Sequence, residues 1–111
     1  MSVESYKRTI ENEKKKILNE KKRIVGIREK IANQRIIKKR ETENHNKRIK
    51  QASTKLSKEN ARKGKKRRIE GINRVIEGYK KDILYCNKKI LGFRERISNS
   101  RENIKRLKSK K

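Results

Sequence analysis

Residues 69–107 read IEGINRVIEGYKKDILYCNKKILGFRERISNSRENIKRL, and the isoleucines in this stretch decide the fold. Ile69, Ile76, Ile83, Ile90, Ile97 and Ile104 stand seven apart without a slip. Two helical turns per seven residues keep such a stripe facing a partner helix. With these as a positions, the d positions are Ile72, Tyr79, Cys86, Phe93, Ser100 and Leu107. Toward the N-terminus the same period returns as Val3, Ile10, Ile17, Ile24 and Ile31, with Tyr6, Glu13, Glu20, Ile27 and Gln34 at d. Between the two arms lies a polar middle, HNKRIKQASTKLSKENARKGKK, over residues 45–66.

The arms fit each other as an antiparallel pair, in which a layers meet d layers. Val3 with Leu107, Ile10 with Ser100, Ile17 with Phe93, Ile24 with Cys86 and Ile31 with Tyr79 are pairs whose residue numbers share one sum. Tyr6 with Ile104, Ile27 with Ile83 and Gln34 with Ile76 keep it, as do the off-frame Ile49 and Ala61. Heptads set that sum only modulo seven, but this value also brings the chain ends together. It places the fold-back near residue 55, inside Ala52–Ser57, where Ser and Thr can cap the returning helix. The expected fold is all-α, a long antiparallel helical hairpin forming one extended coiled-coil domain over 1–111. Arm one covers 3–50, a basic turn region 44–68, arm two 66–108 and a basic tail 105–111. A helix end at Gly64 would make the middle a short third helix, since Gly commonly sits just past a helix C-terminus.

Composition agrees. Of 111 residues, 29% are hydrophobic and 46% charged, too few apolar groups for a thick core but enough for a thin helical seam. Proline and tryptophan are absent, and one Phe and three Tyr leave little for a sheet or a base-stacking platform. Thirty-eight Lys and Arg against 13 Asp and Glu give +25, a balance that points to a polyanion. No run approaches the ~18 apolar residues of a membrane span. The N-terminus is charged from residue 4 and lacks the apolar region of a signal peptide. Cys86 is the only cysteine, so no intramolecular disulfide forms. These features fit the cytoplasm, or the nucleus in a eukaryote.

The seam carries two defects and a second stripe. Glu13 and Glu20 at d face Ile97 and Ile90, where an unpaired carboxylate is costly, and snorkelling toward neighbouring lysines is the expected relief. The e positions are mostly Lys and Arg on both arms, so e rows facing each other repel. Leu18, Val25 and Ala32 occupy b on arm one, and Leu84 and Leu91 occupy b on arm two. Gly26, Gly71, Gly78 and Gly92 line c, a spacing that fits close approach by another helix or a nucleic-acid backbone and equally fits tolerated drift at a surface position. The residues expected to carry self-association are Leu18, Val25, Leu84 and Leu91.

Catalytic and metal patterns are missing. His45, the only histidine, lies in an Asn-rich polar stretch and reads as a surface residue. Cys86 at d, between Tyr79 and Phe93, reads as a small core hydrophobe. Neither a phosphate-binding glycine loop nor a Cys/His pair at metal spacing occurs. The expectation is a non-enzyme that uses no cofactor. Residues 44–68 hold Lys47, Arg48, Lys50, Lys55, Lys58, Arg62, Lys63, Lys65, Lys66, Arg67 and Arg68 against Glu59 alone. At that density cations bind nucleic-acid phosphates by releasing counterions, largely without sequence preference. Lys105, Arg106, Lys108, Lys110 and Lys111 form a second cluster, expected roughly 75 Å away at ~1.5 Å per helical residue.

The layout resembles the coiled-coil leader that precedes TIR domains in a group of bacterial, defence-type proteins. The likeness rests on the Met-Ser start, the Ile/Lys/Glu heptads, the centre Arg48–Ser57 and the basic run Lys65-Lys66-Arg67-Arg68-Ile69. This chain departs from the pattern by being far more basic, and the TIR fold itself is not among its residues. The resemblance implies an oligomerising or sensing module and carries over no catalytic residue. The expected function is therefore sequence-nonspecific binding of RNA or DNA. A coiled-coil interaction module or homo-oligomer, of the TIR-associated kind, is the alternative. A phage anti-defence factor fits the same charge. Attachment to an anionic membrane ranks last, because inserting helices present Trp, Phe and Leu.

Overall fold

A computed structural model describes residues 2–110. Two helices account for nearly all of them: α1, Val3–Gln51, and α2, Lys55–Ser109. The chain folds back through residues 52–54, as the seam pairing requires, and α1 and α2 form an antiparallel all-α hairpin.

Each helix end has a local cause. Ser2 caps α1, its Oγ accepting the Ser5 amide at 3.2 Å, with Glu4 in the first turn beside the positive end of the helix dipole. At the other end of α1 the Ala52 amide donates to the Arg48 carbonyl at 3.0 Å, and Arg48 and Lys50 face the negative end. Thr54 then caps α2. The Ser57 amide donates to Thr54 Oγ1 at 3.0 Å and the Thr54 amide to Ser57 Oγ at 3.1 Å, a reciprocal box with Ser in the usual Glu position.

That box starts α2 eleven residues ahead of the position 66 expected for arm two, and no short third helix forms. Gly64 lies inside α2, and no described glycine has a positive φ. The helix cost of one glycine, about 1 kcal/mol, is outweighed by the Asn-Ala-Arg-Lys and Lys-Lys-Arg-Arg runs on either side, which have no competing turn. The turn region over 44–68 is thus two helix ends and a three-residue link, not a loop.

The residues group into two compact units. In Met1–Gly26 with Asp82–Lys111, the seam buries Ile10, Ile24, Cys86, Ile90 and Ile97, with Glu13, Glu20 and Ser100 among them. In Ile27–Lys81, it buries Ile31, Ile72, Ile76 and His45. Buried positions fall on the a and d frame, but no described side chain reaches full burial. No helix among the described residues is long and apolar enough to cross a membrane.

Glu13 and Glu20 do not snorkel out. Both stay buried, and cations reach in to them instead. Glu13 meets Lys16 at 3.3 Å and Arg96 at 3.7 Å, while Glu20 meets Arg23 at 3.0 Å and Lys89 at 3.8 Å. One partner comes from the same helix, three residues on, and one from the facing helix. A short carboxylate at d cannot reach past the e row, whereas Lys and Arg stems can bend inward over it. Oε2 of each glutamate still lacks a hydrogen-bond partner.

The c-row glycines are not needed inside the hairpin. A Cβ built on Gly26, Gly71, Gly78 or Gly92 meets nothing within 4 Å. Replacing the exposed Gly78 by Ala is expected to stabilise the hairpin by about 1 kcal/mol through helix propensity alone. A rise in the urea midpoint with an unchanged slope would confirm it.

Candidate nucleic-acid interface

The eleven cations of 44–68 all belong to the unit Ile27–Lys81. Lys47, Arg48 and Lys50 close α1, and Lys55 to Arg68 open α2. Ten of the eleven are exposed, and Lys65 is half-buried. Lys65 Nζ donates to Asn46 Oδ1 at 2.8 Å, tying the two helices together behind the exposed charges. Arg68 is also engaged, its guanidinium 3.6 Å from Glu41 Oε1. The remaining nine have no ion-pair partner among the described residues.

Helix polarity divides these charges into two kinds. Cations at the end of α1 are stabilising there, because they face the negative end of its dipole. Lys55 and Lys58 stand in the first turn of α2, which holds no acidic residue, so they add to a positive end. That placement costs the fold stability and concentrates positive potential beside Arg62, Lys63, Lys66 and Arg67. In the tail, Lys105, Arg106 and Lys108 close α2, where cations serve the helix itself. Lys110 follows that helix, and Lys111 lies outside the described residues.

His45 is not a surface residue. It is buried, with Nε2 3.5 Å from Glu41 Oε2, and a Cβ on Gly64 would lie 4.0 Å from its ring. His45, Glu41 and Arg68 thus form a linked row across the seam behind the exposed cations. The signal was in the sequence: Lys38 and His45 continue the a frame of Ile31 in steps of seven. At the a positions of α1 the aliphatic residues stop at Ile31, so apolar side chains alone do not trace the frame as far as His45.

Aromatic rings are occupied by the chain's own cations. Lys89 lies 4.5 Å from the Tyr85 ring centroid, Lys16 5.7 Å from Phe93 and Lys30 5.9 Å from Tyr79. The fourth aromatic residue is Tyr6, and none of the four falls within residues 44–68, so that cluster carries charge without a Tyr or Phe ring for stacked bases.

Cys86 packs in the seam of the other unit. Burial pushes its thiol above the ordinary 9.0, Glu20 adds in the same direction, and Lys89 and Arg23 oppose. The seam holds the protonated thiol, so its contribution is complete below the ordinary value and is lost as pH rises through the raised one. Between about pH 8 and about pH 10 the parent is expected to lose more stability than Cys86→Val, as urea unfolding of the two chains would measure.

Leu18, Val25, Leu84 and Leu91 are all in the unit Met1–Gly26 with Asp82–Lys111, and all are more than half exposed. Compared with family models, with curated proteins and with solved structures, the chain matches none.

Proposed function

We propose that this chain binds nucleic acid through its phosphates, without sequence preference, by the cations of residues 44–68. The observation that carries the reading is the exposure of ten of those eleven side chains, with Lys55 and Lys58 placed where the helix dipole makes them unfavourable. Positive charge kept at a cost to folding is explained by an anion that relieves it. Phosphates are the fitting anion because point-charge contacts from Lys and flexible Arg need no carved pocket, and each contact releases a condensed counterion. Discrimination between bases is not expected, since nothing in the cluster reads base edges or stacks.

The experiment is affinity against salt for a mixed-sequence duplex and a single strand of about 30 nucleotides, from about 50 mM to about 200 mM salt. Six or so phosphate contacts give a log–log slope of about −5 on duplex and a thousandfold or greater loss over that range. Binding that ignores salt, or no binding at the lower salt, would overturn the reading.

A second reading is favoured by the exposed Leu18, Val25, Leu84 and Leu91, which a nucleic-acid binder does not need. It makes the chain a protein-interaction coiled coil, the role that the resemblance to TIR leaders implies. The two readings use different residues in different units, so both can hold.

A further inference from the structure

We infer that the face carrying Leu18, Val25, Leu84 and Leu91 docks an acidic amphipathic helix of a partner protein. In an antiparallel pair the e rows of both helices lie along one side of the seam, and each b row flanks its own e row. The two b rows therefore share a face. Their numbering sets Leu18 level with Leu91 and Val25 level with Leu84, two apolar rungs one heptad apart, or about 10 Å. Relative exposures are 53% and 55% on α1 and 62% and 60% on α2. They lie outside the a and d seam, which is made without them.

The charges around these rungs select the occupant. Lys14, Lys21 and Arg94 stand at e between the two rows, and Lys15, Lys22 and Lys88 stand at f outside them. All six are exposed. The acids flanking the rungs are Glu29 and Glu95 at f, one turn after Val25 and Leu91, and Glu11, one heptad before Leu18, which lies 3.6 Å from Lys14, so cations still outnumber acids around the rungs. A second copy laid face to face would set these cations against themselves, since a two-fold interface repeats one patch on both sides. This departs from the self-association expected from the leucine stripe alone. A phosphate backbone would match the cations but leave four apolar side chains covered by charge. An amphipathic helix with Leu or Ile on one stripe and Asp or Glu beside it satisfies both, the helix-in-groove mode of recognition.

The inference is independent of the nucleic-acid reading, because it uses none of residues 44–68. The full chain is titrated with a fluorescent synthetic helix of three heptads, Leu at a and d and Glu at e and g. A scrambled peptide of the same composition is the control for charge. The patterned peptide is expected to bind at least about tenfold more tightly than the scrambled one. Leu18→Ser with Leu91→Ser removes that preference while leaving oligonucleotide affinity unchanged. If circular dichroism shows that this variant loses helix, Val25→Ser with Leu84→Ser is used instead, and the same loss is expected. Equal binding of both peptides, or a preference that survives the variants, would overturn the inference. So would a dimer of the free chain that Leu18→Ser with Leu91→Ser turns into a monomer.

Discussion

Replacing Arg62, Lys63, Lys66 and Arg67 together with glutamine is expected to weaken binding to mixed-sequence duplex by about a hundredfold or more at ~0.1 M salt. Each lost phosphate contact also flattens the log–log salt slope by about 1, so the slope should fall by about 4. These four are chosen because they are exposed and no described ion pair uses them, whereas Lys65 holds Asn46 and Arg68 holds Glu41. Substituting the latter pair would confuse lost binding with a loosened seam. Glutamine keeps helix propensity close to that of Lys and Arg, so the variant should remain folded. The matching control is Lys105, Arg106 and Lys108 to glutamine. Those cations serve the C-terminal end of α2, so their loss should lower stability by a few tenths of a kcal/mol to about 1 kcal/mol and affinity only modestly. Equal affinity losses in both variants would mean that net charge alone binds, with no site at 44–68.

Changing both Glu13 and Glu20 to leucine is expected to stabilise the hairpin by about 1–2 kcal/mol per site when salt screens the surrounding cations. Each carboxylate is buried, has one oxygen without a hydrogen bond, and is paired only by side chains that are themselves partly or largely exposed. Such pairs recover little of the desolvation cost, because water screens the cation. Leucine at d would bury apolar area against the Ile90 and Ile97 layers, and the released Arg96 and Lys89 can return to solvent. At low salt the gain shrinks, since two negative charges are removed from a chain of +25. Urea unfolding at about 0.05 M and about 0.5 M salt checks both statements. Destabilisation at the higher salt would mean that the ion pairs, not the isoleucines, hold this part of the seam. The gain in stability should come with a loss of specificity. Two polar d layers penalise other pairings of the same helices, and an unbroken Ile/Leu seam would form oligomers more readily.

The hairpin itself was legible because its cause is periodic. Seven-spaced isoleucines need no tertiary knowledge to imply a seam, and Ala52–Ser57 supplies both polarity and a cap. The Thr54–Ser57 box and the d-position burial of Cys86 follow from the same frame. A helix end at Gly64 stays open in the sequence because a lone glycine among helix formers carries no sign saying whether its φ will be positive. That is decided by the neighbouring turn, which the capped fold-back at 52–54 had already supplied.

The sequence by itself determined the fold class, the pairing of the two arms and the concentration of cations at 44–68, all properties of spacing and composition. Only the tertiary structure decided which of those cations are free, because that depends on which groups the opposite helix brings within reach. It assigned Lys65 to Asn46 and Arg68 to Glu41, and it buried His45 against Gly64. It also kept Glu13 and Glu20 inside, where cations from the facing helix could bend over them. Periodicity is one-dimensional and survives in a string of letters. The partners of a charge are chosen in three dimensions, by the reach of side chains across the seam.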